Sequence, residues 1–508
     1  MKSRIKTDLL SWLGFICRSS GILLCWVGLS FSSAQAATDC TQVTQISQAE
    51  CETLVALYKS TNGPNWWDSP SNNWNITNEP CQWQGVFCGD GHVTQIDRRW
   101  QNLVGILPDL NKLTFLQSLN LTNEPYSHKN LTGPLPNLSA LTKLTFLALD
   151  NNQFIGTLNI LFFPSSLQSL NLNSNRLEGS IPNFRERLPN LVSIDLGDFN
   201  GSNSGSNSLT GPIDASYFPI SLQSLVLSNN PLKQSLPNFS SLINLTKLHL
   251  SRTQLTGSIN LSFFPSSLQS LDLSSNQLEG KIPNFSKLNN LTELSLGGNI
   301  LLRGPINALL FPQSLRYLTL SGVPLNQPIP NLSNLINLND LLLDGTQLTG
   351  TINSAYFPPT LSWLNLNENQ LSGSLPDFSR LIYLERLELY NNQLTGSINA
   401  AHFPTSLDDL ELSNNQFTGT IPNLNNLSHL IYLSLSVNQF TGLIPIFPTS
   451  LNSLGLFKNH LSGNIPLSLI NLTNLNNLDI GYNHLNTTTT PEIHAFLEAP
   501  ATKILIGH

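Results

Sequence analysis

Leu268-Gln-Ser-Leu271-Asp-Leu273-Ser-Ser-Asn276-Gln-Leu278-Glu-Gly280-Lys-Ile282-Pro283 spells L-x-x-L-x-L-x-x-N-x-L-x-G-x-I-P, and the same pattern begins again at Leu291. Working outward in both directions gives seventeen starts: Val93, Leu116, Leu144, Leu167, Leu191, Leu222, Leu245, Leu268, Leu291, Leu315, Leu338, Leu361, Leu384, Leu407, Leu430, Leu451 and Leu475. In L-x-L the leucines alternate as strand residues do, so they face inward while the x residues face solvent. One such strand cannot bury its own leucines. Parallel stacking of neighbouring coils buries a continuous apolar column and pairs the backbone, which makes the chain a solenoid. The Asn closing each strand is placed to pair its amide with backbone groups of adjacent coils. Unpaired, each such group would cost about 1–3 kcal/mol. The Gly that follows permits the next turn. At ~4.8 Å per strand the stack predicts a sheet about 80 Å long.

A second rhythm overlies the first. Coils ending I-P-N-F-S (282–286) alternate with coils ending S-I-N-x-x-x-F-P (258–265). Phe163, Phe184, Phe218, Phe239, Phe264, Phe285, Phe311, Phe357, Phe378 and Phe403 recur on the return path and are expected to form a packed spine. Two insertions break the period, 124–129 and 198–206, and both leave from one edge of the sheet. They read as tolerated surface loops, the second flexible.

The L-T-G-x-I-P ending resembles the plant-type leucine-rich repeat of receptor-like kinase ectodomains and polygalacturonase-inhibiting proteins. The stretches Glu52-Thr-Leu-Val-Ala-Leu-Tyr58, Asn65-Trp66 and Pro80-Cys81-Gln-Trp83-Gln-Gly85-Val86-Phe87-Cys88 resemble that family's N-terminal cap. Coils of 23 residues in place of 24, and I-N endings in half of them, depart from the family pattern and leave a bacterial or protist relative as open as a plant one. The resemblance implies a leucine-rich-repeat right-handed superhelix, with a parallel β-sheet on the concave face, a 3-10 or irregular convex side, and caps at both ends. No kinase-like module is legible after the repeats.

The expected organisation is an export signal at 1–36, a disulfide-bonded cap at 37–91, repeats at 92–486 and a C-terminal cap at 487–508. Lys2, Arg4, Lys6 and Arg18 precede or flank an apolar run from Gly21 to Phe31, and Ala34-Gln-Ala36 supplies a small-residue cleavage pattern. A run of about 11 residues is short for a bilayer that needs ~20. Cleavage and secretion are therefore favoured over a membrane anchor through 21–36.

The whole chain carries a formal charge of −7, and loss of the signal makes it more negative, which argues against nucleic acid as a partner. Cys40, Cys51, Cys81 and Cys88 crowd the start of the mature chain, and an even count in an exported protein reads as disulfides. Three pairings are possible, and that between sequence neighbours is preferred. No His has zinc-ligand spacing to these cysteines. Ser47-Gln-Ala-Glu50 is a capping-box start for a helix with Cys51, Leu54, Val55 and Tyr58 on one face and Gly63 at its end. Trp66, Trp67, Trp74 and Trp83 are expected over the first coil. Thr490-Pro491 can open a short helix with Ile493, Phe496 and Leu497 facing the last coil.

Nothing in the sequence assembles a catalytic constellation. The nine His are scattered, and neither a nucleophile elbow, a phosphate loop nor a dinucleotide fingerprint occurs. No enzyme, cofactor or metal is expected. The candidate binding face emerges column by column. The second residue after each start is Ser118, Phe146, Ser169, Ser193, Ser224, Lys247 and Ser270 in coils two to eight. It then becomes Glu293, Tyr317, Asp340, Trp363, Arg386, Asp409 and Tyr432, before returning to Ser453 and Asn477. With Asp344, Glu388, Tyr390 and Glu411 nearby, the candidate patch is Tyr317, Asp340, Asp344, Trp363, Arg386, Glu388, Tyr390, Asp409, Glu411 and Tyr432. Exposed Trp, Tyr and Arg are the types that carry interface energy. The expected function is recognition of a protein, peptide or glycan ligand on the concave face. A structural adhesin or matrix protein acting by multivalent contacts is the alternative. Fourteen N-x-S/T sequons, Asn238 and Asn284 among them, arise mostly from the repeat itself.

Overall fold

Each L-x-L segment forms a three-residue strand, and the strands of successive coils pair in parallel at a constant register, as in Ser270↔Glu293, Leu271↔Leu294 and Asp272↔Ser295. This computed structural model describes residues 37–69, 71–125, 129–198, 206–486, 490–498 and 503–505. The expected export signal and the tips of the two insertions lie outside the described residues. Seventeen of the strands in the main sheet correspond to the seventeen starts, from His92–Asp97 to Asn477–Asp479. The leucines between the outward residues are fully buried, Leu271, Leu294, Leu318, Leu341 and Leu364 among them. A buried Leu contributes roughly 1.5–3 kcal/mol of transfer free energy, so the column is the main source of cohesion.

The coil-ending asparagines are buried and bonded as the repeat requires. Asn276 donates to the carbonyls of Leu250 (2.8 Å) and Leu273 (2.9 Å), while its Oδ1 accepts from Thr253 (3.0 Å) and Leu255 (2.9 Å) N–H. Where Thr253 or Thr346 replaces Asn, the hydroxyl still donates to the carbonyl three residues back at 2.6 Å.

The L-x-G segment is more than a turn. It forms a second set of parallel strands on the flank, in ladders of five, three and seven strands. Gly373 at φ +82° allows the chain to bend within this ladder, and a Cβ there would meet Thr351 at 2.9 Å. The ladder is reduced to isolated bridges, Ser235↔Thr256 and Pro328↔Thr349, in the two coils that contain Pro231 and Pro324. Proline lacks the N–H a ladder needs. A glutamine side chain takes over in both places. Gln234 accepts from Ile213 N–H at 2.7 Å, and Gln327 accepts from Ile306 N–H at 2.8 Å.

The return path explains the alternation of endings. In the I-N coils an Asn side chain caps a single 3-10 turn, as Asn260 does for Leu261–Phe263 and Asn353 for Ser354–Tyr356. That turn delivers the following Phe inward. All ten phenylalanines of the predicted spine are buried.

The N-terminal cap opens with α1 (Gln48–Ser60), whose capping box between Ser47 and Glu50 is formed. Glu50 is buried and also accepts from Val93 N–H at 3.2 Å, which ties the helix to the first coil. The helix ends at Thr61 and a left-handed Asn62, not at Gly63. Gly63 is small for a different reason: a Cβ there would lie 2.1 Å from the Tyr58 ring. Disulfides join Cys40 to Cys51 and Cys81 to Cys88. Trp66, Trp74 and Trp83 are buried in a contacting row with centroid spacings of 5.1 Å. Trp67, expected beside them, is 61% exposed. Arg98, buried, takes the place of a core leucine in the first coil. Arg98 lies 4.5 Å from the Trp66 ring and pairs both Asp68 oxygens, at 2.6 and 2.8 Å. At the far end, α2 (Pro491–Leu497) is capped by Thr490 and buries Ile493, with Phe496 and Leu497 half-buried. Beyond it, Lys503–Leu505 adds one more parallel strand to the main sheet.

Candidate functional site

The site is built by register. Successive parallel pairs put Tyr317 beside Asp340, Asp340 beside Trp363, Trp363 beside Arg386, Arg386 beside Asp409 and Asp409 beside Tyr432. Neighbouring strands lie about 4.8 Å apart, so these side chains form one continuous row. The next outward column sets Glu388 beside Glu411. Asp344 and Tyr390 follow their strands by two residues, at the rim of the same face. All ten predicted patch residues are at least partly exposed on this face.

The side chains are organised, not scattered. The Arg386 guanidinium sits 5.3 Å from the Trp363 ring centroid, a cation–π contact. Trp363 Nε1 donates to Glu388 Oε1 at 2.9 Å, and Asn367 Nδ2 donates to Glu388 Oε2 at 2.9 Å. Tyr432 donates its hydroxyl to Glu411 Oε2 at 2.9 Å, while Ser413 donates both N–H (2.9 Å) and hydroxyl to Glu411 Oε1. Ser321 donates to Asp344 Oδ1 at 2.5 Å. Asp409 Oδ1 is buried with no hydrogen-bond partner. Among the described residues no ion pair within 4.0 Å joins Arg386 to a carboxylate.

Electrostatics follow from this arrangement. Partial burial pushes the Asp409 carboxyl up to about 6, helped by Glu388 and Glu411 and opposed by Arg386. Burial also raises Glu388, against the Trp363 and Asn367 hydrogen bonds, and raises Asp340. The Tyr432 hydroxyl is pushed up to about 12 by burial and by Glu411.

Two open recesses lie along the row. One of about 480 Å³ is lined by Asn367, Glu388, Tyr390, Asp409, Glu411, Ser413, Tyr432 and Ser434. Another of about 400 Å³ is lined by Thr292, Glu293, Arg316, Tyr317, Asn339 and Asp340. Arg316 and Asn339 escaped the column reading because they stand one residue earlier, just before each strand. Comparing that earlier column across coils would have found them. Asn365, which pairs in register with Glu388, is buried. Among the described residues no group of His, Cys, Asp or Glu is placed to hold a metal ion.

Comparisons with known proteins agree with this architecture. The family model described as Leucine Rich Repeat matches residues 166–188, 221–242 and 267–288. Serine/threonine-protein kinase BRI1-like 2 of Arabidopsis thaliana is 31% identical over 133 residues, which are 25% of this chain and 9% of the kinase. Receptor like protein 22 of Arabidopsis thaliana is 37% identical over 102 residues, 19% of this chain and 13% of the relative. The matches thus span only a small part of these relatives' length. Among solved structures, the ectodomain of the Arabidopsis receptor kinase HAESA, bound to an extended IDA peptide hormone, aligns at TM-score 0.61 and 26% identity, covering 86% of this chain and 82% of that one. The ectodomain of the Arabidopsis thaliana receptor kinase GASSHO1/SCHENGEN3, in complex with CASPARIAN STRIP INTEGRITY FACTOR 2, aligns at TM-score 0.51 and 28% identity, covering 86% and 64%.

Proposed function

We propose that the chain is a plant-type leucine-rich-repeat protein, exported or at the cell surface, that binds a protein or peptide ligand across coils ten to fifteen of its concave face. The observation that carries this reading is the change of one outward column from serine to Tyr317, Asp340, Trp363, Arg386, Asp409 and Tyr432, which strand register joins into a single row. Trp, Tyr and Arg are the residue types enriched at interface hot spots. Here the Trp363–Arg386 stack and the Trp363–Glu388 hydrogen bond hold the anchors in place before a ligand arrives, which lowers the ordering cost of binding. The peptide hormone held by the HAESA ectodomain supports a peptide over a small molecule.

The test is affinity capture from the producing organism's own secretions, run in parallel with the parent chain, Trp363→Ala, Arg386→Ala and Ser224→Ala as baits. The parent and Ser224→Ala should retain the same partner. Trp363→Ala and Arg386→Ala should lose about thirtyfold or more in affinity, the effect of removing an interface anchor worth ~2 kcal/mol, with thermal unfolding nearly unchanged. Equal capture by all four baits would place the site elsewhere.

A further inference from the structure

We propose that the partner segment seated on this face is basic, an extended stretch of peptide whose Arg or Lys side chains enter the recess between Glu388, Asp409 and Glu411. The inference deepens the recognition reading above and rests on it. The face is an unpartnered sheet surface whose charge is one-sided. Along the row, Asp340, Glu388, Asp409 and Glu411 stand with Arg386, and the other cation at this face, Arg316, lies at the far recess beside Asp340 and Glu293. In coils two to eight the first of these columns is mostly serine, with Lys247 its one charge, and the Glu388–Glu411 column holds two isolated acids, Asp195 and Asp272; two acids stand side by side in that column at Glu388 and Glu411 alone.

What holds these carboxylates is as informative as their number. Glu388 is fixed by an indole N–H and an amide, and Glu411 by a phenol and a serine. Every one of those donors is neutral. The carboxylates are therefore oriented but not neutralised, and each keeps lone pairs to spare. Arg386, stacked on Trp363, offsets part of this charge through space but forms no ion pair within 4.0 Å with a carboxylate among the described residues. Among the described residues Asp409 Oδ1 has no hydrogen-bond partner. Neighbouring carboxylates destabilise one another, and the Asp409 carboxyl is raised by burial first and by Glu388 and Glu411 next. An incoming guanidinium would relieve that repulsion and form bidentate, charge-assisted bonds. Tyr390 and Tyr432, both partly exposed at the rim of the recess, offer ring surface for its flat face and for the methylene stem. A neutral glycan would leave the charge uncompensated, and an anionic one would add to it.

The test uses defined probes and the full chain. Fluorescein-labelled hexa-arginine, hexa-glutamate and a neutral hexa-glucan are titrated against the parent, Asp409→Asn/Glu411→Gln, Trp363→Ala and the flank control Glu279→Gln. Hexa-arginine should bind the parent and the control saturably, and at least tenfold more weakly to the double variant. The other two probes should not bind. Unfolding temperatures confirm that each variant is folded. Preference for the glucan or hexa-glutamate overturns the proposal, as does hexa-arginine binding that the double variant leaves intact. The two readings separate on the captured natural partner. If Trp363→Ala loses it while Asp409→Asn/Glu411→Gln retains it, the face is the binding site and the basic class is wrong. If neither loses it, the recognition face itself is misplaced.

Discussion

Asp409 shows at the scale of one residue how a binding surface departs from a stability optimum. Its folded pKa is raised to about 6 by burial and by Glu388 and Glu411, with Arg386 opposing and Asp408 adding a smaller repulsion. A carboxyl raised on folding binds its proton more tightly in the native state. It therefore supports the fold at low pH, and that support is lost as pH rises from the unfolded value near 4 through 6. Asp195, pushed up to about 6 by burial, acts in the same direction. At pH 7.5, Asp409→Asn should raise stability, by no more than about 1 kcal/mol once solvent screening of a half-exposed group is counted. The gain should vanish near pH 4, where the parent is protonated. Paired thermal melts at the two pH values check this, and a variant that is less stable at pH 7.5 would contradict it. The sequence showed that Asp409, Trp363 and Arg386 share a face, because register alone decides that. It could not show that Trp363 bonds Glu388 or that Arg386 stacks and does not ion-pair, since those outcomes depend on rotamers and on the coil next door. Arg98 was invisible for a related reason. In a repeat scan it is merely a missing leucine, and its partly buried partner Asp68 lies outside the repeats.

At the scale of the element, the coil-ending asparagine is the most consequential polar residue in each turn. Asn392 donates to the carbonyls of Leu366 (3.0 Å) and Leu389 (3.2 Å) and accepts from Leu371 N–H (3.0 Å). Asn392→Ala would leave the Leu371 N–H without its partner, at about 1–3 kcal/mol, while the Leu366 and Leu389 carbonyls would each lose one of two amide donors and keep the other, from Asn369 (3.0 Å) and Asn415 (2.9 Å). A loss of about 1–3 kcal/mol is expected on denaturant unfolding. Hydrogen exchange should speed up first at Leu371 and its neighbours, and an Asn392→Ala chain within 1 kcal/mol of the parent would show that the bonds are redundant. The asparagine role was legible because the residue recurs at a fixed place where the chain must turn. The flank ladders were not, since the short polar L-x-G-x run resembles a turn and gains its strand character only from the neighbouring coils. Their two interruptions were nonetheless written in the sequence as Pro231 and Pro324.

At the scale of the whole molecule, stability in a stack of coils is a sum over neighbouring interfaces, so the ends decide where opening begins. The distal coils are joined by two ladders, an asparagine row and a phenylalanine spine, all of one kind. The cap is joined to the first coil by different means: the Glu50–Val93 hydrogen bond, the Val104 N–H to Thr61 carbonyl bond at 3.1 Å, and the Trp66–Arg98–Trp74 packing. Inside the cap the covalent loops are short, with Cys40–Cys51 separated by 11 residues and Cys81–Cys88 by 7. Closing loops of that size stabilises by no more than about 3 kcal/mol each. That is small for a solenoid and large for a cap of a few dozen residues. Reduction should therefore release the cap first. Under mild reducing conditions, amides from Thr38 to about Leu110 should lose exchange protection while those of the strands from Lys247 to Tyr432 keep theirs. Because the recess at Asp409 lies far along the stack from the cap, binding of hexa-arginine should survive the same treatment. Simultaneous loss of protection from cap to distal coils would mean that the molecule unfolds as one unit and that the cap interface is as strong as any between coils.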